Sequence, residues 1–255
     1  MSTSNLPADN DIWAPLRTTT QARIGLGRAG NSLPTRRVLE FQAAHAAARD
    51  AVHEPLDVDD LIKQLDDIDI DLPLRVHSQA TSRSEYLRRP DLGRRPADLS
   101  HLPKAKADIG FVLADGLSPR ALTDHATGMV DALVREFDGR YRIAPLVIAT
   151  QARVALGDHI GEALGVTTVL VLIGERPGLS VADSLGIYLT HRPAPGVTDA
   201  DRNCISNIHP PDGLDYPTAA AVAATLVAGA RKLGRSGIAL KDRYGGSAEL
   251  RCGGV

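Results

Sequence analysis

The sequence predicts an α/β fold, a doubly wound, mostly parallel (Rossmann-like) sheet with an N-terminal helical extension. Three observations carry that prediction. The first is an uninterrupted run of branched apolar residues, Val169-Leu170-Val171-Leu172-Ile173, that stops on Gly174-Glu175-Arg176-Pro177-Gly178. Apolar residues without alternation suit a strand covered on both faces, as in a parallel sheet. The second is the alternation, from Asp108 onward, of strand-length apolar segments with segments of helical period, which signals a parallel α/β arrangement. The third is the Ala-rich stretch Pro217 to Leu233 closed by Gly234, long enough to cover a sheet and ended by a C-terminal stop residue.

Each element follows in order. The first dozen residues are polar and Pro-containing and read as a tail, disordered to about residue 15. A helix is predicted from Thr35, as N-cap after Pro34, to about Val52, with Val38, Phe41, Ala44, Ala48 and Val52 on one face. Val58 to Leu65 reads as a second, short helix. The stretch Asp66 to Leu102 mixes Pro, Asp, Ser and Arg with little periodicity and reads as an irregular connection. Inside it, the arginines of Leu87-Arg88-Arg89-Pro90-Asp91-Leu92-Gly93-Arg94-Arg95-Pro96 surround a turn, either as a solvated loop or as a clamp for an anion.

Ile109 to Ala114 is predicted as a strand with Asp115-Gly116-Leu117 as its exit loop. Ser118 then caps a helix with Pro119 at its first position, whose buried stripe is Leu122, Ala126, Met129, Val130, Leu133 and Phe137. Leu146 to Ala149 is the next strand. Asp158 caps a short helix that ends at Gly165 and feeds the Val169 strand. Leu185 to Thr190 is a further strand, and the Pro217 helix follows. The chain divides into a tail (1–15), an N-terminal helical segment with its irregular connection (16–102) and an α/β domain (103–255).

Composition narrows the function. The 255 residues carry a net charge of −2 and only 4% aromatic residues, which supplies neither the basic surface nor the stacking platforms of a nucleic-acid binder. No apolar run approaches the ~20 residues needed to span a bilayer, and Met1-Ser2-Thr3-Ser4-Asn5-Leu6 lacks the pattern of a signal peptide. Two cysteines, Cys204 and Cys252, give neither a disulfide framework nor a zinc pattern. An intracellular, cytoplasmic protein is expected.

Ligands of open α/β sheets bind at the carboxyl ends of the strands. Three segments are expected there: the Arg153-Val154 turn, the Gly174 to Gly178 loop, and a loop from Asp201 to His209. Small polar groups and backbone amides of this kind suit a large neutral ligand rich in amides. Glu175 would accept from amide N–H groups or be a solvated turn carboxylate, Val154 would give backbone and apolar contact, and Cys204 a small polarizable side chain. Two enzymatic alternatives have residues of their own. Gly25-Leu26-Gly27-Arg28-Ala29-Gly30 fits the fingerprint of a dinucleotide-dependent oxidoreductase, without the preceding apolar strand or the immediate helix that a pyrophosphate site needs. Cys204 with His209 as base would make a thiol hydrolase. A non-catalytic assembly module is the third class.

At these residues the chain resembles the small subunit of ethanolamine ammonia-lyase. The matching signatures are Ala22-Arg23-Ile24-Gly25-Leu26-Gly27-Arg28-Ala29-Gly30, Tyr86 to Arg95, Asp115-Gly116-Leu117-Ser118, Gly174-Glu175-Arg176-Pro177-Gly178 and Asp201-Arg202-Asn203-Cys204-Ile205-Ser206-Asn207-Ile208-His209, in that order between about Leu16 and Leu240. The resemblance implies a lyase that converts ethanolamine to acetaldehyde and ammonia by radical chemistry. It implies adenosylcobalamin held between this chain, through its α/β domain, and a large barrel subunit that binds ethanolamine, in a hetero-oligomer. It puts the cofactor contacts on Val154, Glu175 and Cys204, the catalytic residues on the large subunit, and no metal ligand on this chain. None of the eight histidines follows Asp at a spacing of two, as in the Asp-x-His-x-x-Gly loop that replaces the cofactor's own base, so the cofactor is expected base-on. Members sorted into bacterial microcompartments carry a longer amphipathic leader, and only Met1 to Pro15 precedes the matching region, so a microcompartment location is left open, without a long leader to indicate it.

Overall fold

A computed structural model describes residues 11–240. The part of the expected tail before residue 11, and Cys252, lie outside the described residues. Six strands form one mixed sheet in the order β1-β3-β2-β4-β5-β6. They are β1 (Leu74–His77), β2 (Ile109–Ala114), β3 (Val147–Thr150), β4 (Thr168–Gly174), β5 (Leu185–His191) and β6 (Asn203–Ile208). The helices are α1 (Ala14–Arg17), α2 (Thr35–His53), α3 (Val58–Leu65), α4 (Arg83–Arg88), α5 (Pro119–Phe137), α6 (Leu156–Leu164) and α7 (Tyr216–Leu233).

The apolar run is the central strand. All seven residues of β4 are buried, because α5 and α7 cover one face of the sheet and α6 the other. Leu170 and Leu172 join Phe111, Met129, Leu133, Phe137 and Val227 in one core cluster. Val169, Val171 and Ile173 point the other way, to Leu156, Ile160 and Leu164. The alternation of facing explains why the sequence shows none: both faces are dry. On α5 the expected stripe is entirely buried.

The sheet is less uniformly parallel than the sequence predicts. β1, β3, β2 and β4 run parallel, but β5 is antiparallel to β4 and β6 antiparallel to β5. The reason is connection length. Residues 175–184 join β4 to β5 without a helix, too little chain for the crossover that a parallel neighbour requires.

Other expectations are corrected. The segment 66–102 is not all irregular: it holds β1, which pairs with β3, and α4. Residues 203–208, expected in a loop, form the edge strand β6, burying only Ile205 and Ile208. Ala14 and Pro15 start a short helix where a tail was expected. Pro34, not Thr35, occupies the N-cap of α2. The apolar face of that helix is largely uncovered, Val38 being 37% and Phe41 46% exposed. Ser118 is at the N-cap of α5, yet its hydroxyl makes no cap and donates to Ala182 O at 2.7 Å. Asp158 is not a cap at all; it lies inside α6 and is buried. Gly165 does end that helix, in the left-handed region at φ 71°. Among the described residues no helix is long and apolar enough to cross a membrane.

α6 lies so close to β4 that a Cβ on Gly157 would stand 2.2 Å from Val171 Cγ2. Gly157→Ala should therefore lower stability, overpacking at ~1–3 kcal/mol outweighing the ~1 kcal/mol gain in helix propensity. Thermal unfolding followed by circular dichroism checks this, and an unchanged or raised Tm would contradict it.

Candidate functional site

The carboxyl ends of the four parallel strands, the start of β5 and the end of β6 share one edge of the sheet. There a cleft of about 330 Å³ is lined by Tyr86, Arg153, Val154, Glu175, Arg176 and Tyr188, with Gly116, Leu117, Ile173 and Gly174 in its floor and walls. Val154 and Glu175, expected to converge, do so.

Glu175 is the first residue after β4, and its amide donates to Ser184 O at 2.9 Å. Its Oε2 accepts from Ser184 Oγ at 2.6 Å and from the amide of Asn207 at 3.3 Å. The other oxygen stands over Gly186, where a Cβ would come within 2.8 Å of it. Oε1 has no protein donor among the described residues, so Glu175, a residue of the cleft lining, keeps one oxygen free to accept. That is the chemistry of a group that receives an amide N–H.

Cys204 is not on a loop. It lies within β6, opposite Tyr188 of the cleft lining. The residue is exposed, but Tyr188 crowds the sulfur. Burial, and to a smaller degree the Glu175 charge, push the thiol pKa up against a downward pull from the Tyr188 hydroxyl. Burial likewise pushes Tyr188 up to about 12, Cys204 and Glu175 adding to it. Glu175, Tyr188 and Cys204 therefore form one electrostatic neighbourhood, protonated at the phenol and the thiol.

The turn that carries Val154 is held by a residue that sequence reasoning left in an exit loop. Asp115 is 1% exposed, and its two oxygens accept from the amides of Gln151 and Ala152, each at 2.8 Å. Burial pushes its carboxyl up, while Arg83 and the amides of Ala152, Gln151 and Gly116 pull it down. A second buried charge holds α6 to the start of β6. Arg202 Nη1 donates to Asp158 Oδ1 at 2.6 Å and to Thr190 Oγ1 at 2.9 Å, and Nη2 to Val197 O at 2.8 Å. Burial works against the charged guanidinium, but the bonds and charges of Asp158 and Asp199 together outweigh it and raise the Arg202 pKa. An acidic residue one step after a buried strand, and an Arg beside a strand-forming Asn-Cys-Ile, were the available signals; neither has periodicity to announce it.

The alternatives lose their geometry. Gly25, Gly27 and Gly30 have φ of 57°, 75° and 62°, but among the described residues no strand precedes them and α2 begins only at Thr35. They lie in an irregular segment that ends in a turn at Gly30, not at a strand-to-helix phosphate cradle. The strand carries Ile208, next to His209, about 13 Å from Cys204 at ~3.3 Å per residue, and His209 Nε2 lies 2.8 Å from Asn207 Oδ1 instead. A base must be within hydrogen-bond reach of its nucleophile, and here it is not. Among the described residues no cluster of three or more metal-ligating side chains occurs.

The raised thiol pKa has a direct readout. Because the shift is upward, the thiolate fraction at neutral pH falls below that of a free thiol, and the rate of alkylation of Cys204 by iodoacetamide should still be climbing at pH 9.0, the ordinary value for a thiol. Peptide mass mapping separates Cys204 from Cys252. An inflection below pH 8 would mean an activated thiol and revive a nucleophilic role.

Comparison with known proteins gives the family. A family model described as "Ethanolamine ammonia-lyase light chain (EutC)" matches residues 10–241. The ethanolamine ammonia-lyase small subunit of Rhodococcus erythropolis is 68% identical over 232 residues, covering 91% of this chain and 90% of that protein. Proteins of the same name from Xanthomonas campestris pv. campestris (strain B100) and Ralstonia nicotianae are 47% and 46% identical, covering 95% and 90% of this chain and 91% and 88% of their own lengths. By motif, length and identity, the chain belongs to the family of ethanolamine ammonia-lyase small (light) subunits.

Proposed function

We propose that this subunit holds adenosylcobalamin at its interface with a large subunit, in a heteromeric lyase that converts ethanolamine to acetaldehyde and ammonia. Val154, Glu175 and Cys204 are the proposed cofactor contacts. The observation that carries the reading is the free Glu175 oxygen in an open cleft at the strand ends, the edge at which Rossmann-like sheets receive ligands. The cofactor's side arms are amides, and the donor set fits them: one open carboxylate oxygen, backbone at Val154 and Gly174, and a protonated thiol on β6. When bound, adenosylcobalamin supplies radical initiation. This chain's residues bind and orient it.

At about 330 Å³, the cleft is at the small end of the ~300–1,000 Å³ typical of ligand sites. A corrin ring with its nucleotide tail exceeds that, which fits a site completed by the large subunit, the subunit on which we place the ethanolamine-binding and catalytic residues. The residues 16–102 fit a role in that contact. α2 buries only Ala51 and leaves Val38, Leu39 and Phe41 exposed, an apolar face suited to cover by another chain. The α/β part from about residue 103 supplies the cleft.

Two outcomes are expected. The isolated chain should bind cobalamin weakly, since it offers one face of the site; calorimetry showing sub-micromolar affinity, stronger than about −8 kcal/mol, would favour a self-contained carrier. In the reconstituted complex, Glu175→Gln should cost about 1.5–3 kcal/mol of cofactor affinity with the apo Tm little changed. An unaltered dissociation constant would return Glu175 to the class of solvated turn carboxylates.

A further inference from the structure

We propose that Arg153 is the anion-binding residue of the cleft and takes the phosphodiester of the corrinoid's nucleotide tail, an inference that rests on the cofactor reading above. Arg153 lines the cleft beside Val154, and its position is fixed before any ligand arrives. Its amide donates to Gly93 O at 2.8 Å. A Cβ on Gly93 would come within 3.0 Å of Arg153 Cγ, so the stem is wedged against that glycine. The guanidinium carbon lies 4.4 Å from the centroid of the Tyr86 ring. Tyr86 is itself fully buried and donates its hydroxyl to Ala152 O at 3.1 Å, on the residue before Arg153.

The charged end of this clamped side chain has nothing to bind. Among the described residues, the Arg153 guanidinium makes no hydrogen bond and has no carboxylate within 4.0 Å, and its Nε is closed to solvent with no partner. A buried donor left unsatisfied is destabilising, and an acceptor brought by a ligand would relieve it. The nearby carboxylate is spent: Asp115 accepts from Gln151, Ala152 and Arg83. Arg83 stacks on the same tyrosine at 4.8 Å and is 10% exposed, with Nη2 also unpartnered. Two guanidinium groups and one carboxylate thus surround one ring, leaving a positive charge uncompensated at the cleft wall.

A guanidinium that is planar, stacked and lacking an acceptor matches the bidentate recognition of phosphate. On the periphery of the proposed cofactor the side arms are neutral amides and the phosphodiester is the anion. The cleft then divides its work: the free Glu175 oxygen receives amide N–H groups, and Arg153 receives the phosphate.

The test is a ligand series on the complex with the large subunit, read as dissociation constants by calorimetry and visible absorption. Cobalamin, cobinamide phosphate and cobinamide carry the same ring and amide arms, and the last lacks both phosphate and base. Arg153→Gln should weaken cobalamin and cobinamide phosphate by about tenfold or more, ~1.4 kcal/mol, and cobinamide by less than about twofold, in the manner of a double-mutant cycle. Arg153→Lys, which keeps the charge but not the fork, should lose less than Arg153→Gln with both phosphate-bearing ligands. On the wild-type complex, raising salt from about 0.05 to 0.2 M should weaken the phosphate-bearing ligands more than cobinamide. Equal losses for all three ligands, or a loss for cobalamin alone, would overturn the assignment, the first by showing a packing effect and the second a contact with the base. If Arg153→Gln leaves every constant unchanged while the wild type binds, the phosphate subsite alone falls. If the wild-type complex binds none of the three, the cofactor reading falls and takes the subsite with it.

Discussion

The edge of the sheet is organised around one buried charge. Asp115 ends β2 with its carboxylate out of solvent, and each oxygen is used by an amide of the turn that follows β3. Gln151 adopts a left-handed backbone, φ 52°, which turns the following peptide so that the Ala152 amide meets the same carboxylate, and such strain persists only where surrounding bonds over-determine it. Arg83 pairs with the same carboxylate at 3.5 Å, donates to Gly116 O at 2.8 Å and reaches back to Val52 O at 2.8 Å, at the end of α2. A single acidic side chain therefore ties the β2 loop, the β3 turn and the N-terminal helices into one unit. Breaking a buried pair on one side leaves an uncompensated charge at a cost of ~3–5 kcal/mol, so this turn cannot relax independently of the fold.

The Arg202–Asp158 pair plays the matching part on the other flank. Both side chains are 2% exposed, and they join α6, which begins two residues after Val154, to β6, in which Cys204 stands two residues after Arg202. Without that pair, β6 would be a polar edge strand with two buried isoleucines, and edge strands with so little apolar anchoring slip in register readily. The ion pair fixes the register in which Cys204 faces Tyr188. Asp115 governs the turn before α6 and Asp158 the helix itself, so the two flanks of the cleft are set by charges that do not line it.

What was legible in the sequence follows from this division. β2, β4, α3, α5 and α7 were readable because burial imposes a period or an unbroken run, and their bounds agree within a residue or two. The Gly174-Glu175 stop was readable for the same reason: a buried strand must end where a charge appears. β1 and β6 were not, since these short edge strands bury only one and two residues and otherwise look like loops. The antiparallel turn of β5 was hidden because burial says nothing of strand direction. Asp158 was misread as a cap, since Asp at a helix start is ordinarily one; only the distant Arg202 makes it an interior residue. Asp115 and Arg153 look in sequence like a loop acid and a surface base, and nothing local distinguishes a clamped guanidinium from a solvated one.

The proposed contact groups are thus borne on rigid supports. Glu175 follows directly on the most buried strand and is pinned by Ser184 and Asn207. Val154 and Arg153 sit on a turn whose amides are already engaged, and Cys204 is mid-strand. Groups fixed in advance lose little conformational freedom on binding, whereas each rotamer-rich side chain frozen by a ligand costs ~0.5–1.5 kcal/mol. A half-open cleft makes few contacts, so it depends more than an enclosed pocket on spending none of them on ordering its own residues. That is why the charges carrying the architecture here are buried behind the cleft rather than within it: at its surface they would compete for a ligand, and behind it they hold still the residues proposed to bind one.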